Sequence, residues 1–352
     1  MAIQISLFNH KGGVSKTTTA FNLGWMLAEK GKRVLLADCD PQCNLTGMVL
    51  GYKGTEDLAR IYESGSVRNI RDGLAPAFES RPAPIEPVDC EPIAGQPNMF
   101  LIPGHIGLAE YEVTLGIAQE LAGSLVTLQN LPGSISHLFQ ITATKYNIDY
   151  ILVDMSPSLG SINQNLLMTS DFFLVPMATD YFSVMATVSL ASVLPKWKAW
   201  SQKAQNIAEL QRATYPFPKI NPKFLGTVIQ KYRLRKENTP SGAFQEWIAE
   251  IEEGVKNKLI PALSASDMLM SHGAYKSIGI EIGKPLLQMS DFNGLIALSQ
   301  KHKVPVFGLS DSQIGQTGVV LERTKKSMNK FRDLFSAAAD KVIQLTNYAD
   351  SN

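Results

Sequence analysis

Cysteine is scarce in this chain of 352 residues: Cys39, Cys43 and Cys90 are the only three. Three thiols cannot build a disulfide framework, and a lone C-x3-C spacing is a poor zinc signature, so they are expected to be reduced core or loop residues. An excess of charge of one sign is also missing. Lys and Arg total 33 against 32 Asp and Glu, a net charge of +1, so net charge alone points to no partner. No apolar run reaches the ~18–20 residues that span a bilayer. The first residues enter an apolar segment with no charged region or cleavage site before it, and a cytoplasmic protein is expected. No internal repeat stands out. What remains, 45% hydrophobic residues over this length, is enough to bury a large core.

The most informative stretch is Leu7–Thr19, LFNHKGGVSKTTT. Ile3, Ile5, Leu7 and Phe8 form an apolar run of strand length, a Gly-bearing loop follows, and helical spacing runs from Lys16 to Lys30. Strand, glycine-rich loop, Lys-Thr and helix are the context of a P-loop. Successive backbone N–H groups and a helix N-terminus make a concave positive site for phosphate oxygens, and glycines let the backbone approach them. Lys16 is expected on the β- and γ-phosphates, with the Thr17 hydroxyl on Mg²⁺. A chance Gly-Gly turn opening a helix is the alternative.

The loop lacks both glycines of the standard pattern G-x-x-x-x-G-K-[ST], having His10 and Ser15 in their places. Lys11-Gly12-Gly13-Val14-Ser15-Lys16-Thr17-Thr18 instead resembles the deviant Walker A sequence, KGGxGKT, of the ParA/MinD family of ATPases. The resemblance implies that Lys11 reaches across a dimer interface to the ATP of a second subunit. It also implies that the whole loop, Lys11 to Thr18, cradles the nucleotide. Ser15 replaces the family's usual glycine. Serine tolerates most backbone conformations except φ > 0, so binding is expected to survive with slower hydrolysis.

Two further motifs follow in the family's order. Val34–Ala37 is a buried strand ending in Asp38-Cys39-Asp40-Pro41-Gln42, which resembles DxDPQ. The resemblance assigns Asp40 to the attacking water and Asp38 to the outer shell of Mg²⁺. Tyr150–Asp154 is an apolar run closing on an acid, and Met155–Gly160 resembles the switch D-x-P-P-S-L-G with Ser156 for its first proline. Asp154 is thereby implied to hold Mg²⁺ through water, and the loop after it to sense the γ-phosphate. Taken singly, Asp38 and Asp40 also read as carboxylates solvating a strand end, and Tyr150–Asp154 as a buried strand ending in an acidic N-cap. Further strands are expected at Met99–Pro103, Phe172–Pro176 and Phe224–Ile229, and a last one at Lys303–Phe307, which is similar to the family's GKPV strand. That last alignment implies adenine contacts at Ser290–Asn293. A helix is expected over Glu56–Ser64, an amphipathic helical region ending before Asn147, and a closing helix from Leu321 to Ile343. The fold class implied is α/β: a mostly parallel, Rossmann-like P-loop NTPase sheet with helices on both faces, in a single domain. Residues 52–98, broken by six prolines from Pro76 to Pro97, and 245–288 read as insertions.

Ten basic residues between Lys196 and Lys236 accompany a single acid, Glu209, and Trp197, Trp200, Tyr215, Phe217 and Tyr232 are interleaved. Such a face neutralises DNA phosphates without reading sequence, with Lys196, Lys198, Lys203, Arg233, Arg235 and Lys236 as its candidates. An ordinary solvated helix face is the alternative. A second, smaller basic cluster falls between Arg323 and Arg332. The end of the chain has no basic apolar helix face, so membrane binding is not expected. The resemblance implies ATP and Mg²⁺ as cofactors, a homodimer on ATP binding, non-specific DNA and a ParB-like adaptor, in plasmid or chromosome partition. Two rivals stay open. One is a regulatory or scaffold switch without DNA cargo; the other is a nucleotide-binding module that Ser15 has deprived of turnover.

Overall fold

The computed structural model describes residues 1–51, 68–121, 124–232, 242–292 and 294–350. The expected helix at Glu56–Ser64 lies outside them. Four apolar segments with every or nearly every side chain buried form the heart of a sheet: β1 (Ile3–Leu7), β2 (Val34–Cys39), β5 (Tyr150–Met155) and β6 (Phe172–Ala178). Strands buried on both faces read as continuous apolar runs, as they do in parallel sheets covered by helices. With β3 (Glu91–Ile93), β4 (Gln96–Ile102), β7 (Lys223–Tyr232) and β8 (Leu287–Ser290), the order is β3-β4-β2-β5-β1-β6-β7-β8. All pairings are parallel except β3 with β4, an antiparallel edge.

Helices cover both faces. One face carries α1 (Lys16–Glu29), α2 (Asn44–Leu50), α11 (His272–Ser277), α12 (Leu295–His302), α13 (Asp311–Ile314) and the long α14 (Gly318–Asp350). The other carries α3 (Ile70–Phe78), α4 (Tyr111–Glu120), α5 (Leu131–Lys145), α6 (Ser161–Met168) and α7 (Tyr181–Ala204), then α9 (Gly242–Gly254) and α10 (Ile260–Ala265). The short α8 (Ala208–Arg212) caps a small satellite cluster of Ala204, Leu210 and Phe217. Helix α1 is buried almost all round, as a helix between sheet and outer helix must be. Its Gly24 permits that approach: a Cβ there would come within 3.0 Å of Leu36 and Met99.

The last expected strand is corrected. Lys303–Phe307 is a turn, and the edge position belongs to Leu287–Ser290, paired in parallel with β7. Lys303 itself ends α12 in the left-handed region at φ 58°, and Pro305 has no N–H for a ladder. The Val306 N–H instead donates to Asn22 Oδ1 at 3.1 Å. The segment Ser290–Asn293, expected to contact adenine, begins at the last residue of β8, and Asn293 is outside the described residues. The closing helix is longer than expected, starting at Gly318.

Candidate functional site

Because β1 lies between β5 and β6, the loop after β1 and the ends of β2, β5 and β6 converge at the carboxyl edge of the sheet. That edge is where open α/β sheets bind ligands. The loop after β1 is held from both sides. The Asn9 side chain donates to the Pro176 carbonyl at 2.8 Å and accepts from the Lys11 N–H at 3.0 Å. Gly13 has φ 72°, and Ser15, at the N-cap of α1, has φ 60° and ψ 36°. Serine therefore stands where the backbone is left-handed, and its hydroxyl makes no capping bond among the described residues. Left-handed backbone costs a residue with a Cβ about 1–2 kcal/mol. Ser15→Gly is accordingly expected to stabilise the protein by about 0.5–1 kcal/mol, after the entropy glycine adds to the unfolded chain. Denaturant unfolding of both proteins measures this, and a loss of stability would show that the hydroxyl contributes a contact of its own.

Lys16 is buried and folds back under the loop, its Nζ donating to the Asn9 carbonyl at 2.9 Å and the Lys11 carbonyl at 3.4 Å. Burial lowers its ammonium pKa, while Asp154 and Asp40 pull it back up. The two acids at the strand ends are direct neighbours: Asp38 of β2 and Asp154 of β5 are register partners. Both are fully or almost fully buried. Asp38 Oδ2 accepts from the Thr46 N–H at 2.8 Å and its hydroxyl at 2.6 Å, and Asp38 Oδ1 accepts from the Asp40 N–H at 3.2 Å. Gly104 closes over it, leaving no room for a Cβ, which would sit 2.9 Å from Asp38 Cγ. Neither carboxylate oxygen of Asp154 has a hydrogen-bond partner among the described residues. Burial pushes the Asp154 carboxyl up to about 8, helped by Asp38 and opposed by the nearby Thr17 hydroxyl and Lys16. Burial also lifts Asp38 to about 6, against its hydrogen bonds from Thr46.

Two adjacent buried carboxylates, one of them Asp154 with neither oxygen paired among the described residues, beside a threonine hydroxyl and a lysine, fit a divalent cation. Among the described residues no three His, Cys, Asp or Glu side chains cluster as a metal cage. A cation here needs oxygens from elsewhere, as magnesium bound between carboxylates and a triphosphate does. Asp40 is buried beside them, its Oδ1 accepting from the Gln42 N–H at 3.0 Å. The structure thus brings Gly12, Gly13, Val14, Ser15, Lys16, Thr17, Thr18, Asp38, Asp40 and Asp154 to one sheet edge.

Lys11 is at the same edge but turned within its own chain. Its ammonium pairs with Asp180, the N-cap of α7, lies 3.4 Å from Ser183 Oγ, and sits 5.8 Å from the Phe182 ring centre. Sequence reasoning did not link Asp180 or Phe182 to Lys11. Another residue it passed over is His10, whose Nδ1 is buried without a partner among the described residues and whose pKa is lowered by burial and by Lys16.

The basic stretch is scattered. Lys196 and Lys203 are exposed on the second half of α7, but Lys198 is only 3% exposed. Lys198 is therefore corrected as a surface contact for DNA: it packs on the inner side of α7 with Leu194 and Ser201. Burial lowers its pKa, with Asp267 opposing. Lys223 pairs with Asp267 at 2.7 Å. Trp197, Tyr215 and Phe217 are core residues, and Trp200 Nε1 donates to the Gln119 carbonyl at 3.0 Å, so these four rings do not form a stacking platform. Arg233, Arg235 and Lys236 lie outside the described residues.

A family model described as an AAA domain matches residues 2–207. The sporulation initiation inhibitor protein Soj of Bacillus subtilis (strain 168) is 32% identical over 180 residues, 51% of this chain and 60% of that protein. This chain belongs to the ParA/MinD family of P-loop ATPases. It spans about three fifths of the length of the curated relatives it matches. Among solved structures, protein DIP2308 from Corynebacterium diphtheriae has a TM-score of 0.60 at 22% identity, over 86% of this chain and 97% of that one. The structure of pNOB8 ParA bound to nonspecific DNA has a TM-score of 0.54 at 22% identity, over 99% of both chains. At that identity the likeness is one of fold. Among the described residues, no helix of this family member is long and apolar enough to cross a membrane.

Proposed function

We propose that this protein is an ATP-driven switch of the partition type, binding and slowly hydrolysing MgATP. The observation that carries the reading is the buried Asp38–Asp154 pair, with both Asp154 oxygens unpaired among the described residues, set beside Lys16 and Thr17 at the start of α1. In this reading residues Lys11 to Thr18 cradle the phosphates and Thr17, Asp38 and Asp154 hold Mg²⁺, the acids through water. The metal supplies charge neutralisation of the β- and γ-phosphates. Asp40 orients the attacking water. Two chains close on two nucleotides as a sandwich dimer, Lys11 of each crossing to the other's phosphates. A ParB-like adaptor stimulates hydrolysis and releases the dimer. Non-specific DNA is the cargo track, which makes the protein cytoplasmic and nucleoid-associated. Residues 52–98 and 245–288 are additions to this one-domain core.

Lys196 and Lys203 lie along α7 roughly 24–35 Å from Asp180 at its start, at 1.5 Å per residue. A DNA face there is at the far end of α7 from the candidate nucleotide edge. The burial of Lys198 and of the interleaved rings favours a second reading, in which the same ATP dimer recruits a protein effector and carries no DNA. Duplex DNA binding with ATP and with ADP, at two salt concentrations, separates them. The partition reading expects binding only with ATP, weakening about 10³-fold or more between 50 and 200 mM salt if six or more phosphates are neutralised. ATP-dependent dimers without DNA affinity would leave the effector reading.

A further inference from the structure

The loop Ser156–Gly160 runs from the carboxyl end of β5 into helix α6, and the first turn of α6 fastens it. Asn163, fully buried in the first turn of α6, donates from Nδ2 to the carbonyls of Ser156 and Ser158 at 2.8 and 2.9 Å. The same amide lies 3.1 and 3.0 Å from the two serine hydroxyls, which are 3.1 Å from each other. The loop's path is therefore fixed relative to α6, and its position depends on where the start of α6 is held.

That start has no cap of its own, because the N-cap residue is Gly160. The cap comes from another helix. Both carboxylate oxygens of Glu112, on α4, lie 3.3 Å from the Ile162 N–H. A side chain on Gly160 would run into Glu112 Oε1, so the close approach requires glycine at that position. One turn along α4, a Cβ on Gly116 would lie 2.7 Å from Ser161 Oγ, and Gln119 Nε2 donates to the Ser161 carbonyl at 3.0 Å. Residues 112, 116 and 119 form one helical face, so α4 meets the start of α6 along its length. Burial raises the Glu112 carboxyl pKa, and the N–H groups of Ile162 and Ser161 offset part of this. A carboxylate at a helix N-terminus is the favoured arrangement, since the first N–H groups have no partner within the helix.

We propose that Glu112 is a positioning residue of the nucleotide site, capping α6 across the α4–α6 contact and so holding loop Ser156–Gly160 at the phosphate end of the cradle. It does not touch nucleotide. The inference rests on the ATPase reading for its kinetic arm, but not for its structural arm.

Three variants test it: Glu112→Ala, Glu112→Gln, which keeps an acceptor oxygen, and Gln119→Ala, which removes a different contact of the same helix pair, the bond to the Ser161 carbonyl, and leaves the Ile162 N–H capped. In the nucleotide-free protein, amide exchange over residues 156–165 is expected to speed up about 10-fold in Glu112→Ala and to stay near native in Gln119→Ala. In steady state, Glu112→Ala is expected to lower kcat about 10-fold or more with the ATP dissociation constant within about 3-fold, because displacement of a site element costs turnover before affinity. Glu112→Gln should recover most of both. Unchanged exchange in Glu112→Ala overturns the proposal, and so does faster exchange with native kcat. Equal kinetic losses in Glu112→Ala and Gln119→Ala would reduce Glu112 to ordinary packing and overturn it as well. If Glu112→Ala does not fold, Glu112→Gln carries the test, with native exchange and kcat expected; a kcat 10-fold down in a folded Glu112→Gln overturns it. A native protein without turnover defeats the ATPase reading alone, and the exchange comparison still decides the cap.

Discussion

Asp154→Asn is expected to melt at a higher temperature than the native protein at pH 8, without nucleotide, while losing magnesium-dependent hydrolysis by about 10²-fold or more. The stability gain follows from the direction of the pKa shift. Burial and the adjacent Asp38 raise the Asp154 carboxyl from its ordinary value of 3.8 to about 8. A raised carboxyl favours folding fully at low pH, and that contribution is lost as pH climbs from the unfolded value through the folded one. Asparagine has the same shape and never ionises. The two proteins should therefore melt alike at about pH 4 and below, and the native one should fall behind progressively up to pH 8. Each kcal/mol of the difference is worth about 2–4 °C in a protein of 150–250 residues, and somewhat less in this longer chain. Added MgATP should reverse the order, since a ligand that binds only the folded native site stabilises it by mass action. Melting curves from pH 4 to 9, with and without MgATP, test this. If the variant melts lower at every pH, the orphaned oxygens of Asp154 must have a partner in solution, and the pair is not waiting for a cation. The general pattern is a site that costs the apo fold stability so that it is complementary to its ligand.

Local chemistry made the nucleotide edge legible. The apolar runs Ile3–Phe8, Val34–Ala37 and Tyr150–Asp154 carry a strand signal that no competing pattern disturbs, and each ends in a loop or acid whose chemistry is local. Their relation was not legible: nothing in the chain order says that Asp38 and Asp154 become register partners, because pairing across the sheet is set by topology. The same holds for Lys11 with Asp180 and for Glu112 with the start of α6, pairs separated by 169 and 50 positions. The missed edge strand has a different cause. Lys303–Phe307 and Leu287–Ser290 are both short apolar runs near prolines, and a family pattern selected the first. Pro305 and the left-handed Lys303 in fact disqualify it as a ladder strand. Lys198 was open to a better reading. Leu190, Leu194, Trp197, Ser201 and Ala204 follow one another at three- and four-residue steps, and Lys198 falls on that stripe. Reading charge without helical phase placed it on the outside.

Lys11→Ala is expected to keep ATP bound within about 3-fold of native affinity while lowering turnover by about 10²–10³-fold and removing ATP-dependent dimers, on the scale of a cation supplied in trans. Affinity should survive because the cradle's own ammonium is Lys16, anchored under the loop by the carbonyls of Asn9 and Lys11, which an alanine at position 11 retains. Turnover should not, because Lys11 is the remaining cation of the loop and points away from it in the single chain, onto Asp180. That pairing does not lock it. With Lys11 17% and Asp180 43% exposed, it is a half-solvated ion pair, of a kind that contributes about 0–1 kcal/mol. In the proposed dimer the triphosphate of a second subunit would compete with Asp180 for the lysine, which lies 5.8 Å from the centre of the exposed Phe182 ring. Nucleotide affinity by fluorescence, dimer content by sedimentation and phosphate release, measured on one preparation, test the three parts together. Loss of ATP affinity alongside turnover would make Lys11 a ligand of its own chain's nucleotide. Native turnover in a protein that remains monomeric with ATP would dismiss the crossing lysine, and the Lys11–Asp180 pair would then be the fastening of the α7 start to the loop and nothing more.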